Sequence, residues 1–178
     1  MEEKEFNKNV FINCPLDNDY KEIFLGIIFT IYYLGFTPRF SLERSDCTES
    51  RINKITEIIE ESKFGIHDLS RIISKKEQEY YRMNMTFELG IDYGCKKYKE
   101  NIWSTKKILI LEEKKYRYQK ALSDLSGSDI KYHNNEVSQA IIEVRDWFVT
   151  EDLGHGISGT KIWDNYNEFQ AFYMIKLF

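Results

Sequence analysis

Short apolar runs and longer amphipathic segments alternate along this chain, and that alternation is the feature that most limits what it can fold into. A short run suits a buried strand and a longer periodic one suits a helix. Such βα units in succession build a mostly parallel sheet covered by helices. Lys107-Ile108-Leu109-Ile110-Leu111-Glu112 is the clearest strand. Residues 9–13 and 64–68 read as two more, with shorter strands at 38–42 and 130–132. Helices are predicted over 20–34, where Gly35 supplies the stop, and over a stretch ending near 63 in which Ile52, Ile55, Ile58 and Ile59 share one face. Further helices are predicted from Asn84 onward, over 119–125 and over 136–148.

With 178 residues, 42% of them hydrophobic, the chain is large enough for one well-buried core and small for two. Residues 1–149 are read as the body of a single domain. Residues 150–178 are read as an appendage, a Gly-rich turn followed by a helix carrying Trp163, Tyr166, Phe169 and Tyr173 at helical spacing. Such an aromatic stripe must be covered, either by its own domain, the reading preferred here, or by a second copy in a homo-oligomer. The net charge of -4, with both signs interspersed, argues against nucleic acid as a partner. Three cysteines without paired spacing indicate neither a disulfide framework nor a metal site, which fits a cytoplasmic protein. The longest apolar run, 23–34, is too short to span a bilayer, and the acidic first residues do not resemble a signal peptide.

For five βα units a common doubly wound, flavodoxin-like arrangement is a three-layer sandwich with parallel strands in the order 2-1-3-4-5. Its crevice lies at the carboxyl ends of strands 1 and 3, where the order reverses. That geometry gathers distant residues. Asn13, Pro15 and Asp17 follow the first strand, Arg44 and Asp46 the second, and Asp68, Ser70 and Arg71 the third. The helix beginning near Asn84 starts on the same edge. Asn84 is read as its N-cap, Phe87, Ile91 and Cys95 as its core-facing side, and Glu88 as a first-turn carboxylate facing the crevice. A glutamate there either complements the helix dipole or serves as a site carboxylate held partly desolvated beside a ligand.

Three segments together resemble bacterial TIR-like proteins and their relatives among nucleoside 2-deoxyribosyltransferases. They are Val10-Phe11-Ile12-Asn13-Cys14-Pro15-Leu16-Asp17, Gly65-Ile66-His67-Asp68-Leu69-Ser70-Arg71 and Arg82-Met83-Asn84-Met85-Thr86-Phe87-Glu88-Leu89-Gly90. The resemblance runs from about Val10 to about Phe148, with Phe-Glu-Leu-Gly its most specific part. It implies a TIR-like nucleotide-binding domain in which Glu88 cleaves an N-glycosidic bond and Asp68 or Ser70 contacts ribose or base. It also implies NAD as substrate rather than cofactor, a role in antiphage defence, and a homo-oligomer or a partner protein of a defence system. TIR domains commonly carry a Ser or Thr and a Trp-Cys pair shortly before the glutamate, where this chain has Asn84-Met85-Thr86-Phe87.

Breaking a nucleoside C–N bond builds positive charge on the ribose, and a fixed carboxylate near C1' stabilises it. Nicotinamide leaves NAD without being protonated, so one glutamate suffices. A neutral base needs a second acid, for which Asp68 and Asp92 are candidates. Arg39, Arg44 and Arg71 are candidate phosphate ligands through bidentate contacts. The reading preferred from sequence is an NAD glycohydrolase. The alternatives are a nucleoside or nucleotide N-glycosidase or deoxyribosyltransferase, and a TIR-like module that binds a nucleotide signal or a protein without turnover. Gly154-His155-Gly156-Ile157-Ser158-Gly159 matches a dinucleotide fingerprint only in letters, because it follows a helix rather than a first strand.

Overall fold

The computed structural model describes residues 3–44, 46–74 and 83–176, with side chains to 172. Five strands form, the three longest where β-branched, aromatic and leucine side chains cluster. They are β1 (Asn9–Asn13), β2 (Thr37–Arg39), β3 (Phe64–Asp68), β4 (Lys107–Glu112) and β5 (Lys131–Tyr132). All pair in parallel in the order β2-β1-β3-β4-β5, a flavodoxin-like sheet as expected from the alternation of segments. Central β1 and β3 are buried at every residue, as strands covered on both faces must be.

The helices are α1 (Glu3–Phe6), α2 (Lys21–Tyr33), α3 (Arg51–Glu60), α4 (Met83–Tyr98), α5 (Val137–Phe148) and α6 (Gly159–Lys176). Val10, Ile12, Phe64, Ile66, Leu109 and Leu111 point to one face and pack on Ile23, Ile27 and Ile31 of α2 and Ala140, Val144 and Phe148 of α5. Phe11 points to the other face, onto Ile55, Ile58 and Ile59 of α3 and Cys95 of α4. Alternate residues of each strand thus feed two separate cores. Gly35, at φ 83°, closes α2 in the left-handed conformation that glycine adopts without strain. Helix α6 lies outside the α2 and α5 layer, where Ile162 and Tyr166 are buried with Ile141, and Phe29 meets the rings of Tyr166 and Phe169. The Tyr173 side chain lies outside the described residues.

Three expectations need correction. The helix predicted over 119–125 is instead two short 3-10 turns, Arg117–Lys120 and Ser123–Leu125, and β4 residues Ile108 and Ile110 are left only half-buried beneath them. Asn84 lies inside α4 rather than capping it, because the helix already includes Met83; Glu88 is therefore past the first described turn. Phe87 is 62% exposed, since Met85, Glu88, Leu89, Asp92 and Cys95 make the inward stripe of α4 and Phe87 falls outside it.

Candidate active site

His67 and Asp68 are consecutive on β3, so their side chains go to opposite faces of the sheet, and each founds a buried polar network. On the α2 and α5 face, Tyr20 donates to Asp68 Oδ2 at 2.6 Å, His133 Nε2 to the same oxygen at 2.9 Å, and the Ser70 amide to Oδ1 at 2.8 Å. Burial pulls the Asp68 carboxyl up, but the hydrogen bonds from His133, Ser70 and Tyr20 outweigh it and hold the pKa below the ordinary value. The Asn135 amide donates to His133 Nδ1 at 3.1 Å, which puts the ring proton on Nε2. Ser70 Oγ lies 3.1 Å from that same Nε2. A Ser-His-Asp relay needs serine and carboxylate on opposite ring nitrogens, so these three residues do not form a nucleophile.

On the α3 and α4 face, Asn13 Nδ2 donates to the Met85 carbonyl at 2.8 Å and to His67 Nδ1 at 3.0 Å. The Met85 carbonyl accepts only from an N–H, which orients the amide and makes His67 Nδ1 an acceptor. His67 Nε2 then donates to Asp92 Oδ2 at 2.9 Å. Lys106 Nζ approaches Asp92 Oδ1 to 3.1 Å, off the hydrogen-bond direction, and donates to the carbonyls of Ile59 and Ser62. Burial raises the Asp92 pKa, but His67 and Lys106 outweigh it and leave the carboxyl below its ordinary value. Gly65 lets α4 approach this closely, because a β-carbon there would collide with Asp92 Oδ2. Among the described residues the remaining buried side-chain atom without a hydrogen-bond partner is Asn13 Oδ1.

Asn13 lines a cavity of about 180 Å³ at the carboxyl end of β1, together with Cys14, Leu16, Phe40, Ser41, Arg51, Asn84 and Glu88. That is smaller than the roughly 300 to 1,000 Å³ of sites that enclose a whole drug-sized ligand, so it suits one portion of a larger molecule. Glu88 is only 4% exposed. Burial raises its pKa, opposed by Arg51, whose guanidinium lies 3.6 Å from Oε1, and by His67 and the hydrogen bond from Asn84. Burial, reinforced by Asp68, Asp17 and Glu88, drives the Cys14 thiol well above its ordinary range, so it stays protonated and is not a nucleophile. Preorganised, desolvated and beside a cation, Glu88 can stabilise positive charge developing on a ligand.

Of the residues nominated from sequence, Asn13, Asn84 and Glu88 come together in this cavity. Pro15 is buried between two of its lining residues. The others lie elsewhere, Phe87, also nominated as a substrate contact, being exposed and outside this cavity. Asp17 receives a bidentate pair from Arg71 at 3.0 and 2.9 Å. Arg44 is held by Glu49 and Glu57, Arg39 by Glu43 and Glu61, and Asp46 by the amide and hydroxyl of Thr48. Asp68 and Ser70 belong to the network on the opposite face, and Asp92 to the His67 and Lys106 pair. Arg51, Cys14, Leu16, Phe40 and Ser41 went unnoticed. Arg51 was findable: in a parallel sheet the helix after strand 2 begins on the same edge as the helix carrying Glu88.

A larger groove, about 520 Å³, runs along the other side of α4 over Leu89, Tyr93, Ile108, Ile110, Leu122 and Leu125. It is mainly apolar and lies where the predicted helix is missing, so its size follows from the exposed face of β4. The Gly154 to Gly159 segment joins α5 to α6, and Arg145 donates to the Ile157 and Gly156 carbonyls, so it is a tied loop rather than a phosphate cradle. Among the described residues no helix is long and apolar enough to cross a membrane, and no group of His, Cys, Asp and Glu could hold a metal ion.

Fold and site together define a flavodoxin-like α/β protein with a buried carboxylate at the switch-point end of its sheet. No family model, curated protein or solved structure matches the chain.

Proposed function

We propose that the protein is a TIR-like NAD glycohydrolase in which Glu88 stabilises the ribosyl cation as nicotinamide departs. The observation that carries this reading is Glu88 itself, a carboxylate 4% exposed in a cavity at the carboxyl end of β1. The cleavage is sketched as elongation of the bond from C1' to the pyridinium nitrogen while positive charge moves onto the ribose ring. The bond's electron pair leaves with nicotinamide, and water or a ribose hydroxyl adds at C1'. Glu88 acts as the ionised form, and a cationic ligand beside it favours that form.

The make-up of the cavity supports NAD over a nucleoside. A neutral base must be protonated to leave, and among the described residues Glu88 is the only carboxyl lining the cavity. Asp92, the second acid considered from sequence, is bound to His67 and Lys106 and has its pKa lowered. The decisive experiment is incubation of purified protein with NAD and with a nucleoside panel, with free base followed by chromatography. NAD cleavage that is lost in Glu88→Gln supports the reading. Release of a base from nucleosides but not from NAD favours the N-glycosidase or deoxyribosyltransferase alternative. No turnover of any nucleotide favours a binding module. A role in antiphage defence and action as a homo-oligomer belong to the same proposal and rest on the resemblance alone.

A further inference from the structure

We propose that Arg51 is the anion-binding residue of the Glu88 cavity, and that the ligand carries a phosphate that draws Arg51 away from Glu88. The inference rests on the cavity being the ligand site, and it specifies which part of the ligand that site recognises.

The arginines differ in what they are bound to. Arg39, Arg44, Arg71 and Arg117 each meet carboxylates at hydrogen-bonding distance, and Arg145 caps two backbone carbonyls. Arg51, the first residue of α3, lines the cavity with its side chain 58% exposed and has Glu88 at 3.6 Å. A charge-assisted hydrogen bond is about 2.7 to 2.9 Å, so at 3.6 Å through a single nitrogen the contact is long and engages only part of the donor fork. Asn13 Oδ1 supplies a second, independent sign of a ligand: it is a buried acceptor without a donor, on a residue 2% exposed that lines the same cavity. Its amide cannot turn over, because Nδ2 is fixed by the Met85 carbonyl and His67 Nδ1. The cavity therefore wants a hydroxyl or N–H donor at Asn13 and an anion at Arg51, and a phosphorylated ribose offers both. Among the described residues, the charged and titratable groups that act on Glu88 are Arg51 from α3, His67 from β3 and Cys14 after β1. Of these, Arg51 is the exposed one that a ligand can displace.

Calorimetric titration of wild type and Arg51→Gln with adenosine, AMP and ADP-ribose tests the idea. The wild type is expected to bind AMP or ADP-ribose at least about tenfold more tightly than adenosine, the scale of one charge-assisted contact, and Arg51→Gln is expected to erase that preference at an unchanged melting temperature. AMP against ADP-ribose separates a monophosphate site from a diphosphate site. In parallel, carbon-13 NMR of the Glu88 carboxyl should show its titration moving up when pyrophosphate is added to wild type, and no such response in Arg51→Gln. Equal binding of adenosine and AMP, no binding of any of the three, or a phosphate preference that survives in Arg51→Gln overturns the proposal. A phosphate preference without NAD cleavage sinks the glycohydrolase reading and leaves this one standing. NAD cleavage by wild type and Arg51→Gln with equal KM sinks this one alone.

Discussion

Two carboxylate and histidine pairs stand on consecutive residues of β3, and they differ in one respect. The pair of Asp68 and His133 is complete: Tyr20, Ser70 and Asn135 supply the remaining partners, and every member but the exposed Asn135 is buried. The pair of His67 and Asp92 is braced by Lys106 at one end, while at the other it runs through Asn13 to an oxygen that lacks a donor, in the cavity that holds Glu88. The first network locks α2 and the β5 end of the molecule onto the sheet. The second locks α4 onto the sheet and, among the described residues, leaves Asn13 Oδ1 without a donor. Buried polar groups are normally satisfied, so the exception is where a ligand is expected.

Removing the brace of the second network should have the largest effect. Lys106→Met leaves the Asp92 carboxylate buried with His67 alone and the Ser62 carbonyl without the Lys106 donor, and it should cost about 3 to 5 kcal/mol, read by urea denaturation. An unchanged midpoint would mean that Lys106 contributes nothing to holding α4.

Glu88→Gln separates the site from its scaffold. NAD cleavage should fall about 100-fold or more, the scale of losing one preorganised electrostatic group. The melting temperature should hold or rise slightly, because the raised pKa marks an ionised carboxylate that burial disfavours at neutral pH. A stability loss with unchanged cleavage would move Glu88 from the chemistry to the fold.

Gly65→Ala probes the close approach that only the second network needs. The new methyl would meet Asp92 Oδ2, and overpacking of this kind costs about 1 to 3 kcal/mol. Because the α2 and α5 face is untouched, hydrogen exchange should loosen in α4 before α2. Equal loosening in both would break the separation of the two networks.

The two networks should nonetheless share one pH response. Asp68 and Asp92 both have folded-state pKa values below the ordinary value for aspartate, so their contribution is complete above about pH 4 and is lost as pH falls through the lower folded values. Thermal melts from pH 6 downward should show a steeper acid loss for wild type than for Asp68→Asn. Parallel profiles would show that the Asp68 pair carries no pH-dependent stability.

Much of the architecture was legible in the sequence, because hydrophobic periodicity and strand length are local properties. The bounds of β1, β3 and β4, the parallel sheet and the strand order all followed from the alternation of segments and the preference of five βα units for one winding. Where local pattern was weak, it misled: 119–125 has helix-forming composition but becomes two 3-10 turns. Glu88 was also legible, because a carboxylate in an apolar stripe on a helix at the crevice edge is a local anomaly. Its companions were not. Arg39, Arg44, Arg71, Asp17, Asp68 and Arg51 are all charged residues near strand ends, and sequence gives no means of telling which will find a partner. The tertiary structure decided that, by placing Glu43, Glu61, Glu49, Glu57, Arg71 and His133 within hydrogen-bond reach of all but Arg51. It likewise turned His67, an unremarkable strand residue in the sequence, into the link between Asn13 and Asp92. Local sequence determines which segments form strands and helices. The pairing of charges depends on distances of a few ångströms between residues far apart in the chain, and those distances exist only once the helices are packed.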